Sequence, residues 1–171
     1  MKSKGFMKAI IIFITCGITI LTGCGVYTFN GSTLPSYLKT VDIPLFENQS
    51  LQPNIAEEVT KELNRQVLSG NLLRIVSTDG DATVSGTITS YSNDPYTFGA
   101  ADTRQIDVES YIVKIGADVQ FFDNKNNTAL YKGVVTGEGI YNFKTETETI
   151  GRQRAEKDLV QRILQSSVQS W

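Results

Sequence analysis

The chain reads as an α+β protein: a two-layer sandwich in which two helices pack on one face of a mostly antiparallel sheet of four to five strands. Three observations predict this. Two segments, Asn54–Ser69 and Ile150–Val168, repeat apolar residues at helical spacing. Several others alternate apolar with polar residues, Asp107–Phe122 most strongly, and such half-polar strands belong to sheets with one covered face. The order β-α-β-β-β-β-α then leaves the two helices to supply the cover.

The first element is not part of that fold. Met1–Lys8 carries Lys2, Lys4 and Lys8 and no acid, and Ala9–Thr22 is an uncharged apolar run. The run is shorter than the roughly 20 residues that cross a bilayer as a helix. A charged start followed by a short apolar core matches a secretory signal. Leu21-Thr22-Gly23-Cys24 closes the run and resembles the bacterial lipoprotein box, which implies removal of residues 1–23 and acylation of Cys24. An uncleaved anchor with a chance cysteine is the plainer alternative. Cys16 would leave with the signal, so Cys24 would have no cysteine left to pair with. Residue 25 is Gly rather than the Asp that holds many lipoproteins at the inner membrane, which points to the outer membrane. The predicted layout is a signal over 1–23, a lipidated leader over 24–39 and one domain over 40–171.

Within the domain, Thr40–Phe46 alternates as a strand, with Pro44 favouring an edge or a strand end. Asn54 is placed to cap the first helix, Glu57 stands in capping-box position and Gly70 suits the stop. Leu72–Ser77 and Ala82–Tyr91 read as the next strands. Ser92–Gln105 reads as a long loop among turn formers, and loops of that length are commonly functional. Its aromatics Tyr96 and Phe98 either anchor a partner or fold back onto the domain. Asp123–Asn127 is a turn cluster, and Thr128–Tyr141 returns as the partner of Asp107–Phe122. On the last helix Ala155, Leu159, Ile163 and Leu164 face inward, while Arg152–Glu156 and Arg154–Asp158 are spaced as exposed ion pairs.

Composition narrows the chemistry. The 171 residues include no histidine, which removes the commonest general base and the commonest transition-metal ligand. The formal charge is −2, and loss of the three leader lysines would make it −5. That charge argues against a nucleic-acid binder. The acid pairs Glu57/Glu58, Asp79/Asp81 and Glu146/Glu148 read as solvated, and no catalytic, cofactor or metal motif stands out. Gly133–Gly139 is glycine-rich without the Lys-Ser/Thr of a P-loop, so its glycines mark a bulge or a close backbone approach. Arg74, Arg104, Lys114 and Lys132 are candidates for a basic patch toward anionic lipid, or ordinary solvated charges.

Several fragments in order carry a resemblance: Cys24-Gly-Val-Tyr-Thr-Phe29, Leu38-Lys-Thr-Val-Asp-Ile-Pro-Leu-Phe-Glu-Asn48, Gly80–Ile88, Ala129–Tyr141 and Ala155–Leu164. Together they resemble the outer-membrane lipopolysaccharide-assembly lipoprotein family, LptE. The resemblance implies a non-enzymatic subunit without cofactor. It would sit in the lumen of an outer-membrane β-barrel lipopolysaccharide translocon, tethered to the membrane through Cys24. There it would support barrel assembly and lipopolysaccharide delivery, with lipopolysaccharide itself a further ligand. The rival reading is an envelope lipoprotein that binds a small ligand or scaffolds the envelope without a barrel.

Overall fold

The structure, a computed structural model, describes residues 34–71, 73–99 and 107–169, all within the compact unit Ser32–Trp171. The elements are β1 (Thr40–Asp42), β2 (Glu47–Asn48), α1 (Ile55–Gly70), β3 (Arg74–Val76), β4 (Ala82–Gly99), β5 (Asp107–Asp123), β6 (Thr128–Asn142) and α2 (Glu148–Gln169). They form one six-stranded sheet in the order β3-β1-β4-β5-β6, with β2 also on β4. Both helices pack against it, so the expected two-layer α+β arrangement is what the chain adopts.

The sheet is mixed. β4, β5 and β6 form the expected antiparallel meander. β1 instead runs parallel to β3 and to β4, and β2 runs parallel to β4. The route through α1 causes this, because a helical crossover returns the chain in its original direction. The single strand expected over Thr40–Phe46 is broken at Ile43–Phe46, where Pro44 cannot donate to a ladder. Phe46 uses the break to turn inward. It is buried, its N–H donates to Thr60 Oγ1 at 3.1 Å, and its ring lies where a side chain on Gly86 would otherwise be.

The helices form where the apolar spacing puts them. α1 buries Ile55, Ala56, Val59, Leu63 and Val67, and α2 buries Ala155, Leu159, Val160 and Ile163. These meet Val84, Ile88, Val113, Ile115, Ala117, Val119 and Phe121 from the covered sheet face. The core also takes in Leu38, ahead of the first strand. The predicted capping box does not form: Asn54 adopts the left-handed conformation, φ 61°, and its side chain makes no cap bond. Its carbonyl accepts from Glu58 N–H at 3.0 Å instead. Asn71, also left-handed at φ 51°, ends the helix just past Gly70, which Asn tolerates better than most side chains.

α2 lies directly on β6 because two glycines leave room. A Cβ on Gly137 would sit 2.5 Å from Leu159 N and press on the Ala155 carbonyl. One on Gly139 would sit 2.5 Å from Ala155 N and press on the Gly151 carbonyl. The glycine-rich stretch is therefore a seat for helix backbone, the second of the two roles its composition allowed. The contact also satisfies two groups on the sheet edge: Glu138 N–H donates to Asp158 Oδ2 at 2.9 Å, and Arg154 Nη1 donates to the Ile140 carbonyl at 2.6 Å. Glu146 holds the same guanidinium, and this bond, joined by one from Asn142 N–H, lowers its carboxyl to about 2.

Gly139→Val is expected to destabilise the domain by about 3 kcal/mol, since the helix must lift off the strand. Urea denaturation followed by circular dichroism measures this; a change below about 0.5 kcal/mol would show that α2 does not need the close approach.

Candidate functional site

The strand ends and helix pair carry the polar and exposed aromatic groups, and the residues singled out in the sequence fall on different parts of them. Cys24 lies outside the described residues, as does Arg104. Tyr96 and Phe98 are not on a loop. β4 continues through them to Gly99, pairing Pro95 with Tyr111, Thr97 with Ser110 and Phe98 with Val108. Asn93-Asp94-Pro95 has turn composition, but β5 presents a long hydrogen-bonding edge that this stretch satisfies. Register shifts on either side of Thr97 leave Tyr96 as an extra residue, 51% exposed. Pro95's partner Tyr111 stacks on Tyr141 with centroids 5.8 Å apart and meets Phe143 at 5.4 Å. Phe143 and Ile140 are exposed as well, so this part of β4–β6 shows apolar surface.

The basic candidates do not converge. Arg74 is on β3 at one side of the sheet, while Lys114 on β5 lies 4.0 Å from Glu138 on β6. Lys132 shares a shallow surface hollow with Glu47 and Asp118. The uncovered face thus interleaves both signs of charge. Among the described residues no acid cluster is arranged to hold a metal, and no helix is long and apolar enough to cross a membrane.

Two polar clusters were not legible in the sequence. The first fastens the start of the domain to the β5–β6 turn. Asp123, fully buried, accepts at Oδ2 from the Tyr37 hydroxyl at 2.5 Å and Asn126 Nδ2 at 2.9 Å. At Oδ1 it accepts from Lys125 N–H at 2.9 Å and Asn126 N–H at 3.1 Å. Lys125 Nζ reaches the Tyr37 carbonyl and pairs with Asp81 at 2.9 Å. Asp81 in turn accepts from Lys39 N–H at 2.7 Å and Thr40 N–H at 3.0 Å. Burial pushes the Asp123 carboxyl up, but the bonds from Tyr37 and Asn126 outweigh it and the net shift is downward. Lys125, with the two backbone N–H groups, holds Asp81 far below the carboxylate range. The Asp123–Asn127 cluster is a turn as composition suggested; that it clasps residues 37–40 depends on contacts over 80 residues away in sequence.

The second cluster lies between the helices, under a groove of about 470 Å³ lined by charged side chains. Arg152 Nε is 3.1 Å from Glu58 Oε2 and 3.6 Å from Glu156 Oε1. All three atoms are buried without a well-formed hydrogen bond. The Arg152–Glu156 pair was expected in solvent, yet Glu156 is 8% exposed because α1 packs over it. The expected Arg154–Asp158 pair is replaced: Arg154 takes Glu146, and Asp158 takes Arg162 at 2.8 Å. Burial, then the neighbouring Glu58, raises the Glu156 carboxyl to about 8, against the pull of Arg152. On α2, Glu148 accepts from the Tyr91 hydroxyl at 2.6 Å.

This is the architecture of a small two-layer α+β domain whose polar groups hold elements together. The solved structures it resembles include the hypothetical protein CT253 from Chlamydia trachomatis, 10% identical with a TM-score of 0.54 over 76% of this chain and 98% of that one. Others are lipoprotein GNA1162 from Neisseria meningitidis, 10% identical, TM-score 0.45, covering 74% and 96%, and lipoprotein B from Nitrosomonas europaea, 15% identical, TM-score 0.48, covering 77% and 83%. No curated protein matches the chain. The model of the LptE lipopolysaccharide-assembly family matches residues 38–167, and the chain belongs to that family.

Two consequences of the polar clusters are measurable. A raised carboxyl pKa means that the folded state holds the proton more tightly than the unfolded chain. The contribution of Glu156 is complete below its ordinary 4.5 and is lost as pH rises through about 8. Glu156→Gln is expected to remove that loss, leaving the variant about 2 kcal/mol more stable than the parent at pH 9 and closer to it at pH 5, by urea titration. Equal pH dependence in both proteins would refute the assignment. In the clasp, Asp123→Ala is expected to cost about 3 kcal/mol and Tyr37→Phe about 1 kcal/mol, because only the first removes the acceptor of four part-buried bonds. Similar small costs for both, measured by thermal denaturation, would mean that Asp123 is not the hub.

Proposed function

We propose that this chain is the lipid-anchored accessory subunit of an outer-membrane lipopolysaccharide translocon. Membership of the lipopolysaccharide-assembly family over residues 38–167 is the observation that carries this reading. The lipoprotein box supplies the anchor: with residues 1–23 removed, an acylated Cys24 tethers the domain to the outer membrane. Each buried CH₂ contributes about 0.8 kcal/mol, so two or more acyl chains, palmitate among them, hold it firmly. The domain then plugs the lumen of the translocon barrel, supports barrel assembly and assists lipopolysaccharide delivery to the cell surface.

The surface suits a structural partner more than a bound anionic lipid. Lys114 and Lys132 lie among Glu138, Glu47 and Asp118, which weakens the attraction a cationic patch would exert. The exposed Tyr96 belongs with Phe98 to the stretch of β4 assigned to barrel contact, where aromatic side chains contribute most per residue. The role is non-enzymatic and needs no cofactor.

Affinity isolation of the full-length protein is expected to bring down an outer-membrane β-barrel, and depletion to lower both mature barrel and surface lipopolysaccharide. An unaffected lipopolysaccharide pathway on depletion would rule the reading out. Cys24→Ala is expected to abolish incorporation of labelled palmitate and retention in the membrane fraction; persistent labelling would remove Cys24 as the anchor.

A further inference from the structure

Strand edges carry unpaired N–H and C=O groups, and proteins guard them by brevity, by covering groups or by charge. β3, at one side of this sheet, is 3 residues long. β6, at the other, carries the charged Lys132 and Glu138, and two of its backbone groups, Glu138 N–H and Ile140 C=O, are taken by Asp158 and Arg154 of α2. A third edge, without such charges, is the outer side of β4. β1 and β2 cover it as far as Ile88, whose carbonyl accepts from Gln49 N–H at 2.9 Å. There the chain turns away toward α1, its turn fixed by Asn48 Nδ2 donating to the Gln52 carbonyl at 2.8 Å. Among the described residues, none pairs with β4 on that side from Ser90 onward.

Which backbone groups face outward follows from Pro95. It has no N–H, and in an antiparallel ladder residues alternate between facing the neighbour and facing away. Pro95 is opposite Tyr111 and fits the outward-facing set. No register shift separates it from Ser90, so Asn93 and Tyr91, two and four residues earlier, also turn N–H and C=O outward. The run Ser90–Asn93 is uncharged, without the lysine that usually guards an edge. A bulge between Ile88 and Ser90 bounds it at one end and Pro95 at the other, leaving the length of a short strand.

We propose that this edge of β4 pairs with an edge strand of the β-barrel partner before that barrel closes. The inference rests on the reading given under Proposed function and adds when and where the contact is made. A closed barrel has no free edge, so the pairing is open only to an unfinished one and ends with closure. Tyr91 and Asn93 offer about four backbone hydrogen bonds to such a strand. A second copy of this chain is the weaker taker. Its own edge is satisfied by water, whereas unpaired backbone at a membrane-embedded barrel edge costs several kcal/mol per group.

The test uses full-length protein in cells with a photocrosslinking amino acid at Ser92. Newly made barrel is followed by pulse labelling, and its closure by heat-modifiable migration. The expected product joins position 92 to the barrel during the pulse and weakens about tenfold once the barrel is closed. Asn93→Pro removes an outward N–H and the side-chain contact with Tyr141, in which Asn93 Nδ2 donates to Tyr141 Oη at 3.0 Å and the hydroxyl to Asn93 Oδ1 at 3.3 Å, but no ladder bond to β5. It is expected to reduce the crosslink about tenfold and to delay closure, with the thermal midpoint within a few degrees of the parent. Should Asn93→Pro fail to fold, Ser92→Lys, which charges the centre of the run, is expected to delay closure likewise. Equal crosslinking to closed barrel, a crosslink to a second copy, or normal closure in the folded variant each overturns the inference. If the wild type captures no barrel by affinity isolation either, the translocon reading itself fails. If wild type and variant capture and close it alike, only the edge pairing does.

Discussion

Most of the structure depends on the backbone of α2 resting on β6 where Gly137 and Gly139 have no side chains. Closing that distance buries Ala155, Leu159 and Ile163 against the meander and completes the core. It also sets the helix's height and rotation, and with them the positions of its polar groups. Asp158 and Arg154 reach the open backbone of β6, Glu148 reaches Tyr91, and Glu156 is carried under α1 beside Glu58. A helix held one methyl group further out would leave each of these contacts long, because interiors at native density have no slack to absorb the shift.

The two buried polar clusters differ in how completely they are satisfied. Asp123 accepts at both oxygens from hydroxyl, amide and backbone donors, and bonds of that kind favour its charged form. Between the helices, two carboxylates share one guanidinium, and burial opposes charge on Glu156. The clasp therefore gains from ionised carboxyls and weakens in acid, whereas the helix junction gains from a proton and weakens as pH rises from about 4.5 to about 8. The better satisfied cluster sits where residues 37–40 enter the fold.

Much of the fold was legible because it rests on periodicity. The stripes of α1 and α2 and the alternation of β5 named most of the core correctly, since burial of one face is what these patterns encode. The glycines of β6 left two choices, and only the position of α2 selected close approach. The largest misreading, that the predicted loop begins at Ser92 although β4 runs on to Gly99, came from weighing Asn93, Asp94 and Pro95 locally. The length of β5 held the missing signal: a strand of 17 residues needs a partner longer than Ala82–Tyr91. The basic residues looked like a patch only because sequence shows charges without their neighbours.

The sequence by itself determined the class of fold, the two helices, the antiparallel meander and the family, for each of these follows from residue order and local pattern. Tertiary structure alone decided the parallel placement of β1 to β3, the burial of Glu156, the clasp from Asp123 to Tyr37, and the edge of β4 beyond Ile88 that β1 and β2 leave open. Those features join residues far apart in the chain. Their energies depend on which surfaces exclude water together, and local pattern does not encode that.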